Sequence, residues 1–509
     1  MSNPIFNTQV VIIGAGPTGL SLAAQLIRFQ IDFIILDKKE TTTTFSKALV
    51  IQARTLELFE ELGIARKAIE EGQITTAMNM FYKGKQRAHI NLSGLGEGLS
   101  PFPFALSLEQ SKTEKLLADF ILNNQKTIWW NTEFISVEQQ PQGVTVICKT
   151  NNEERIIQAS YVVGCDGASS ALRHLMGLPF EGSTDPKLFY VADIILKSPV
   201  ICKSELYIYM IRRGFALFFP MQGERHYRIV GTLPDVKDPE KEIKFEDISE
   251  SIRTQIISPV EFEKLQWFSA YKVHSRKADH FMNKRCFIAG DAAHIHTPAG
   301  GQGMNTGIQD AYNLAWKLAG VLRGELKENI LETYDTERTG NAKHLLQSTD
   351  RMFDLMSGSN SFMNFLRLTI FPYLLSIISK NELVKKQLFP LISQTGISYP
   401  DSMLTIPGVF GKVKAGDRIH YFKFTDGRNI FQDLTEPVFK LLFFGKTKTK
   451  LSFSSAIKIK IKYLMYEEIP EDVFGNEKNF YLLLRPDNHI SYIGKELSAA
   501  EDFLKRIEQ

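Results

Sequence analysis

The sequence feature that most constrains the fold lies in the first forty residues, where an apolar run, a glycine-rich turn and an amphipathic stretch follow one another. Residues 9–38 read QVVIIGAGPTGLSLAAQLIRFQIDFIILDK. Val10 to Ile13 predict a strand buried on both faces of a parallel sheet, and Leu20 to Phe29 predict the helix that follows it. A second predicted strand ends at Asp37. Together these segments predict a βαβ unit of the Rossmann type.

The turn of this unit has the spacing of a dinucleotide-binding loop, G-x-G-x-x-G. Its glycines permit a tight turn and let a pyrophosphate approach the free N–H groups of the helix N-terminus. Asp37 is placed to accept hydrogen bonds from the ribose hydroxyls of adenosine. The motif predicts a bound dinucleotide but does not distinguish NAD from FAD. The residues predicted to contact the cofactor here are Gly14, Ala15, Gly16, Pro17, Thr18, Gly19, Asp37 and Lys38.

Two further segments each combine a strand, an acidic residue and glycine. Residues 161–177, YVVGCDGASSALRHLMG, place Asp166 between a short apolar strand and a predicted helix, where it could also simply cap that helix. Residues 285–291, RCFIAGD, form a predicted strand that ends at Asp291, and residues 304–322 predict an amphipathic helix. Three such turns in one chain suggest one long ligand that is contacted along its length.

The segment between Asp291 and the helix, within GDAAHIHTPAGGQGMNTG, has almost no apolar side chains that could pack a core. Such a loop can instead present backbone N–H groups to a flat ligand, and Pro298 would stiffen it. His294 and His296 have no third ligand nearby, so a metal site is not predicted, and their roles stay open. The residues predicted to contact the ligand are Asp291, Pro298, Gly301, Gly303, Met304 and Asn305.

At these residues the chain resembles the flavin-dependent aromatic hydroxylases, a single-component family typified by para-hydroxybenzoate hydroxylase and phenol hydroxylase. The matching motifs are GAGPTG, CDGASSALR and AGDAAHIHTPAGGQGMNTGIQDAYNLAWKL. The resemblance implies that FAD is the bound cofactor, with Asp291 at its ribityl chain and the glycine-rich loop at the isoalloxazine ring. It also implies that Asp166 and Arg173 contact FAD and the nicotinamide cofactor.

Two smaller segments extend the resemblance. SKALVIQARTLELFEELGI is similar to the loop and helix that follow the ribose-binding acid, and LEQSKTEKLL is similar to the segment whose glutamine, here Gln110, contacts FAD. The family often has arginine where this chain has Lys47, which loses a bidentate contact to the pyrophosphate. Arg54 is an alternative source of that charge.

The region between Phe180 and Arg276 contains the β-rich stretches LYIYMI, FALFFP, HYRIVGTL and KLQWFSAYKV. Their period-two patterning predicts a mixed sheet that covers the flavin domain and binds the substrate. Arg276 itself could contact the cofactor or substrate, or only bridge domains. The alternative that the aromatic residues are ordinary sheet core stays open. The predicted substrate contacts are Phe215, Phe218, Tyr227 and Trp267.

The last part of the chain has a different character. AGDRIH and LLLRPDNHISYIG resemble the thioredoxin-like C-terminal domain of the phenol-hydroxylase and polyketide-hydroxylase branch, but the region contains no cysteine, which excludes dithiol chemistry. The predicted fold class is α/β: a Rossmann-type FAD-binding domain, an inserted mixed β-sheet substrate domain and a thioredoxin-like domain. The predicted boundaries are 1–179 (with a substrate-domain excursion near 78–108) and 277–395 for the first, 180–276 for the second and 396–509 for the third.

Composition narrows the partners of the protein. The net charge of +3 over 509 residues argues against nucleic acid or an anionic membrane as a partner. Four scattered cysteines without a C-x-x-C pair predict neither a zinc site nor a disulfide framework. The sequence shows no signal peptide and no apolar run long enough to span a membrane. We expect a cytoplasmic protein, either a monomer or a homodimer.

The resemblance implies an FAD-dependent monooxygenase that consumes NADPH or NADH and O2. In that reaction the nicotinamide reduces FAD, dioxygen forms a flavin hydroperoxide, and its distal oxygen is transferred to an aromatic, phenolic or polyketide-like substrate. Because the flavin carries the chemistry, no catalytic side chain is predicted. The substrate stays open, and an antibiotic-inactivating monooxygenase is one alternative. A same-fold halogenase or reductase and a non-catalytic flavin sensor are others, although the tryptophan-rich motif and catalytic lysine of halogenases are not found.

Overall fold

The computed structural model describes residues 4–45, 48–211, 214–233, 243–256, 259–357, 368, 370, 373, 381–446, 455 and 457–509. No helix among these residues combines the length and the apolar character needed to cross a membrane.

The N-terminal region, residues 4–179, contains the predicted βαβ unit. Its strands are β1 (Ile5–Asn7), β2 (Val10–Ile13), β3 (Phe33–Leu36), β4 (Val50–Ile51), β5 (Gln73–Thr75), β6 (Ala77–Tyr82), β7 (Lys85–Asn91), β8 (Ala105–Ser107), β9 (Ile128–Trp129), β10 (Thr132–Gln140), β11 (Gly143–Thr150), β12 (Glu153–Ala159) and β13 (Tyr161–Gly164). Its helices are α1 (Pro17–Arg28), α2 (Ala53–Glu61), α3 (Ala65–Glu71), α4 (Gln110–Asn123) and α5 (Ala171–Leu175).

The middle region, residues 180–395, contains the longest strands and helices. Its strands are β14 (Phe180–Lys197), β15 (Glu205–Ile211), β16 (Gly214–Pro220), β17 (His226–Thr232), β18 (Glu261–Ala278), β19 (Met282–Asn283), β20 (Cys286–Ile288) and β21 (His294–Ile295). Its α-helices are α6 (Phe245–Ile256), α7 (Gly303–Leu322), α8 (Glu332–Ser357) and α9 (Glu382–Ile392), and its 3-10 turns are Gly290–Ala292, Ala299–Gly301 and Glu328–Leu331.

A six-stranded sheet in the order β19-β20-β13-β2-β3-β9 contains the strands of the predicted βαβ unit. The five strands from β20 to β9 run parallel, and β19 is antiparallel at the edge. The β-branched run of β2 is at most 4% exposed, as expected for a strand covered on both faces. Helices α1 and α7 lie against each other beside this sheet. Smaller sheets β1-β12-β11-β10 and β4-β8-β5 flank it.

An eight-stranded sheet in the order β21-β18-β14-β17-β16-β15-β6-β7 forms the second layer. Strands β6 and β7 come from residues 77–91 and join the sheet through a parallel pairing of β6 with β15. One face packs under α6, with Phe245 and Ile248 in the same apolar cluster as Phe218. The other face, which we call the inner face, contacts α8 through Phe353.

The strands of the C-terminal region, residues 396–509, are β22 (Val409–Phe410), β23 (Val413–Lys414), β24 (Phe439–Gly445), β25 (Ile459–Met465), β26 (Phe480–Leu484) and β27 (Ile490–Gly494). The last four form one sheet in the order β25-β24-β26-β27. Strands β24 and β25 pair in parallel, and the other two pairings of this sheet are antiparallel. The helices are α10 (Ile430–Asp433), α11 (Glu471–Phe474) and α12 (Leu497–Ile507), with a 3-10 turn at Tyr466–Glu468.

Candidate active site

The three predicted turns lie together at one edge of the six-stranded sheet. Parallel strands β2, β13 and β20 are neighbours, so the turns that follow them leave the sheet at the same edge. The contacts are close: a Cβ atom on Gly14, whose φ is +100°, would overlap the carbonyl of Cys165, and one on Gly290 would overlap Thr18. The first turn therefore touches both the second and the third.

The G-x-G-x-x-G turn leaves room for a ligand at one glycine only. A Cβ on Gly19 would overlap the carbonyl oxygen of Gly14, so this glycine is required by the contact between helix and strand. Apart from its neighbours in the chain, no atom of the described residues lies within 4 Å of a Cβ built on Gly16. Gly16 is also the N-cap of α1 and receives no side-chain cap. The free N–H groups of α1 thus face an open space that fits a pyrophosphate.

Asp37 follows β3 and is held by the backbone on both sides. One carboxylate oxygen accepts a hydrogen bond from the Ala15 N–H at 2.7 Å, and the other accepts one from the Lys39 N–H at 2.8 Å. Each oxygen has a second lone pair that can still accept from a ribose hydroxyl. The side chain of Lys38 is exposed beside it.

Asp166 caps a helix, as the alternative interpretation expected, but with only one of its oxygens. Its Oδ2 accepts from the N–H groups of Ala171 at 2.8 Å and Leu172 at 3.3 Å. Its Oδ1 is buried and has no hydrogen-bond partner among the described residues. Arg173 does not point to a ligand: its guanidinium is buried, donates to the carbonyls of Ala292 and Ala168 at 2.8 Å each, and so ties the second turn to the third.

The third turn combines an exposed acidic side chain with the uncapped N-terminus of α7. Asp291 is exposed within the 3-10 turn Gly290–Ala292, and Pro298 is exposed at the start of the glycine-rich loop. That loop reaches left-handed backbone at Gly301, whose φ is +61°. Helix α7 then begins at Gly303 without a side-chain cap, so the N–H groups of its first turn have no partner within the helix. The dipole of this helix favours negative charge in front of it.

Asn305 holds the glycine-rich loop with its side chain. Its Oδ1 accepts from the Gln52 N–H at 2.9 Å and from the Thr55 hydroxyl at 2.7 Å. Its Nδ2 donates to the carbonyls of Val50 at 2.8 Å and Gly301 at 2.9 Å. The amide is fully used by these contacts, so any cofactor contact of Asn305 must come from its backbone.

The two histidines of the loop have different partners, and His294 is buried whereas His296 is half-buried. The Nε2–H of His294 donates to Asp310 at 2.7 Å. The Nδ1–H of His296 donates to the carbonyl of Thr297 at 2.7 Å, and its Nε2 has no partner among the described residues. Burial, together with the nearby His294, lowers the pKa of His296 to about 4, so this ring is neutral at physiological pH. The described residues contain no cluster of three or more acidic, histidine or cysteine side chains that could hold a metal ion.

Lys47 and Arg54 are the basic residues that were predicted to supply positive charge to the pyrophosphate. Lys47 lies outside the described residues. Arg54 is buried, donates to Glu57 at 3.0 Å and to the carbonyl of Asp487 at 3.1 Å, and therefore points into the C-terminal region. This arrangement contradicts the predicted compensating role of Arg54. Gln110 begins α4, donates to Glu114 at 2.8 Å and lies beside the loop that precedes β4.

The strand register divides the predicted substrate contacts between two faces. Arg228 of β17 lies opposite Asp193, which lies opposite Trp267, so these three residues share the inner face. Phe215 also lies on the inner face, in the cluster that contains Phe353. Phe218 and Tyr227 belong to the opposite face, buried under α6. The structure thus gives Phe218 and Tyr227 the position of ordinary sheet core, the alternative that the sequence left open.

The inner face contains apolar residues that sequence reasoning missed. Val230 lies two residues after Arg228 and is paired with Leu217, and both are half-buried, as is Tyr271. Period-two alternation within HYRIVG, with its charged residue, was the signal that could have indicated this face.

Arg276 lies farther along β18, where it pairs with Ile295 of β21 and donates to Thr184 at 3.1 Å.

Comparison with known proteins agrees with this geometry. The sequence family described as FAD binding domain matches residues 7–349. The 6-methylpretetramide 4-monooxygenase of Streptomyces rimosus is 28% identical over 508 residues, which cover 96% of this chain and 91% of that protein. An uncharacterised aromatic compound monooxygenase of Bacillus subtilis is 30% identical over 498 residues, 95% of this chain and 94% of its own.

A solved structure extends the similarity to the whole fold. The OxyS anhydrotetracycline hydroxylase from Streptomyces rimosus superposes with a TM-score of 0.76 at 26% sequence identity, and the alignment covers 99% of each chain. The convergent glycine turns, the open helix ends and these matches lead to one conclusion: the chain belongs to the FAD binding domain family of flavin-dependent monooxygenases.

Proposed function

We propose that the protein uses FAD, NADPH or NADH, and dioxygen to hydroxylate an aromatic, phenolic or polyketide-like small molecule. The observation that carries this proposal is the position of the inner face relative to the glycine-rich loop. The Arg228 guanidinium donates to the carbonyl of Ala48 at 2.9 Å, and the Asn305 amide donates to the carbonyl of Val50 at 2.8 Å. The short segment 48–50 thus joins the substrate sheet to the cofactor loop.

The inner face offers an apolar, aromatic surface beside this junction. Trp267, Tyr271, Leu217 and Val230 are half-buried there, which suits contact with a planar ring system. Arg228 forms a bidentate ion pair with Asp193, both bonds 2.7 Å, which neutralises its charge. These side chains would bind and orient a ring and exclude water from it.

FAD would be held along the edge of the six-stranded sheet, since the open helix ends suit its pyrophosphate and the carboxylates of Asp37 and Asp291 suit its hydroxyl groups. The α1 N-terminus at Gly16 would bind the pyrophosphate, Asp37 the ribose, and Asp291 the ribityl chain. The first turn of α7, from Gly303 to Asn305, would stabilise negative charge on the reduced ring through its N–H groups. Bound FAD would supply electron transfer from the nicotinamide and activation of dioxygen.

We further infer that the C-terminal region is thioredoxin-like. The strand order β25-β24-β26-β27, with one parallel and two antiparallel pairings, and the helix α12 at its end support this assignment. Residues 396–509 contain no cysteine, so the domain would serve in structure rather than in dithiol chemistry.

The test is a turnover screen of the FAD-loaded protein. Oxidation of NADPH and NADH would be followed over a panel of phenols and multi-ring polyketides, chosen because relatives are named for 6-methylpretetramide and anhydrotetracycline. The expected result is accelerated oxidation with a product one oxygen atom heavier, labelled when isotopic dioxygen is supplied. A product that is chlorinated or dehydrogenated, without the label, would assign a different flavin chemistry.

A further inference from the structure

Asp310 is a buried carboxylate on α7 that contacts both ends of the third turn. Its Oδ2 accepts the Gly290 N–H at 2.9 Å and the His294 Nε2–H at 2.7 Å. The side chain is fully buried, so these bonds are made away from water, where an unpaired carboxylate is costly. One carboxylate oxygen thus fixes the backbone immediately before and shortly after Asp291.

The same turn is confined from its other side. Gly290 has a φ of +62°, and a Cβ there would overlap Thr18 of α1. Thr18 also lies where a Cβ on Gly307 of α7 would be. The Gly290–Ala292 turn is therefore clamped between α1, which contacts it through Thr18, and α7, which contacts it through Asp310.

Arg338 connects Asp310 to the start of α7 and to the C-terminal region. Its Nε donates to Oδ1 of Asp310 at 2.6 Å and its Nη2 to the carbonyl of Thr306 at 3.2 Å, within the first turn of the helix. Its Nη1 donates to the hydroxyl of Tyr399 at 2.8 Å. Burial would raise the pKa of Asp310, but Arg338 and His294 outweigh it and hold the pKa below its ordinary value. The carboxylate therefore stays ionised and retains all three bonds.

We propose that Asp310 is a positioning residue for FAD, which fixes the Asp291 turn and the start of α7 in one rigid arrangement through His294 and Arg338. The two segments contact different parts of the cofactor in the proposed site, so an error in their relative position would weaken binding as a whole. This inference rests on FAD binding rather than on the substrate, and its test needs no turnover.

The main test compares Asp310→Asn with Glu337→Gln. Glu337 is a matched control, because it is also a buried carboxylate that binds an arginine and a second cation, Arg485 and Lys317. Its other hydrogen bonds within the described part of the chain go to Asn313 and Ser402, not to residues 290–303. Both variants would lower the melting temperature of the apoprotein. We expect only Asp310→Asn to weaken FAD binding, by about tenfold or more, and to shift the visible absorption bands of the bound flavin. Equal losses of FAD affinity in the two variants would overturn the proposal.

A second pair keeps the proposal testable if Asp310→Asn does not fold. His294→Leu fills a similar volume but removes the N–H group that donates to Asp310, whereas His294→Gln keeps an N–H donor. We expect the leucine variant to bind FAD less tightly and the glutamine variant to recover most of the affinity and the absorption spectrum. If the leucine and glutamine variants both bind FAD as the parent protein does, the network does not position the cofactor.

Discussion

Gly16 and Gly19 occupy the same turn but are constrained by different neighbours. We predict that Gly19→Ala destabilises the apoprotein by about 1–3 kcal/mol, because the new Cβ must displace the carbonyl of Gly14. Gly16→Ala should leave the apoprotein as stable as the parent, since its Cβ meets open space and its φ of −82° suits alanine. The same substitution should weaken FAD binding by about tenfold, because a methyl group would stand between the phosphate and the N–H groups.

Denaturant unfolding of the apoprotein and FAD titration separate the two effects. An unaltered FAD dissociation constant for Gly16→Ala would mean that the pyrophosphate lies elsewhere. Gly19→Ala serves as the control for a steric effect inside the protein.

At the residue scale, the sequence indicates how side chains are arranged only where their partners are local. The order of Gly14, Gly16 and Asp37 along the chain indicated their arrangement, because one βαβ unit brings them together. Arg54 could not be placed in this way. One of its partners, Asp487, lies 433 residues away, and nothing near Arg54 in the sequence indicates that contact.

At the scale of elements, the two faces of the eight-stranded sheet have different roles. We predict that Trp267→Ala raises KM for the substrate by about tenfold with little effect on FAD affinity, because the ring lies half-buried on the inner face. Phe218→Ala should instead cost about 3–5 kcal/mol of unfolding free energy, since the ring is fully buried under α6. Steady-state kinetics and thermal unfolding measure the two outcomes.

The assignment of the faces would be refuted by the reverse pattern, with Phe218→Ala changing KM and Trp267→Ala changing only stability. Sequence patterning predicted this sheet and its alternation but not which face packs against α6 and which face lies beside residues 48–50. Both faces of β16 and β17 carry large apolar residues, so composition does not separate them. The choice is made by packing against α6 on one side and by the bond from Arg228 to Ala48 on the other.

At the scale of the whole molecule, the C-terminal region is joined to the rest by buried charges. Arg485 donates to Glu337 of α8 at 2.6 Å, and its side chain is 1% exposed. We predict that Arg485→Ala costs about 3–5 kcal/mol, because Glu337 would stay buried with part of its countercharge removed. Arg428→Ala is the control: its guanidinium is half-exposed, and solvent screens its pairs with Asp426 and Asp433, so this substitution should change stability far less.

Chemical denaturation of both variants tests this difference, and equal losses would show that the buried pair adds nothing to docking of the C-terminal region. The basic and acidic residues of this interface come from α2, α7, α8 and residues 485–489, which are distant in the sequence. Their pairing depends on how the C-terminal region packs against the rest of the chain. Sequence patterning therefore indicated a C-terminal domain but not the ion pairs that join it to α2, α7 and α8.

Lys440 of β24 is a buried titratable group at the same interface. Its ammonium group is buried, donates to Asn488 at 2.8 Å and faces Arg28 and Glu61 of the nucleotide-binding half. Burial lowers the pKa of Lys440 to about 7; Glu61 opposes this shift and Arg28 reinforces it. Asp487 and Glu436 are the other charged groups that act on it.

Between pH 7 and the ordinary lysine pKa, the unfolded chain therefore holds a proton on Lys440 that the folded protein has released. Stability must rise with pH in this interval, since the state with fewer bound protons is favoured as protons become scarce. We predict that the unfolding free energy of the parent protein, relative to that of Lys440→Met, increases by up to about 2 kcal/mol from pH 7 to pH 9. Denaturant unfolding of both proteins across this range measures the difference. Because the two proteins share all other titrating groups, the subtraction cancels the contributions of those groups. A difference that stays constant with pH would show that Lys440 remains charged at the interface, and that Glu61 rather than burial sets its state.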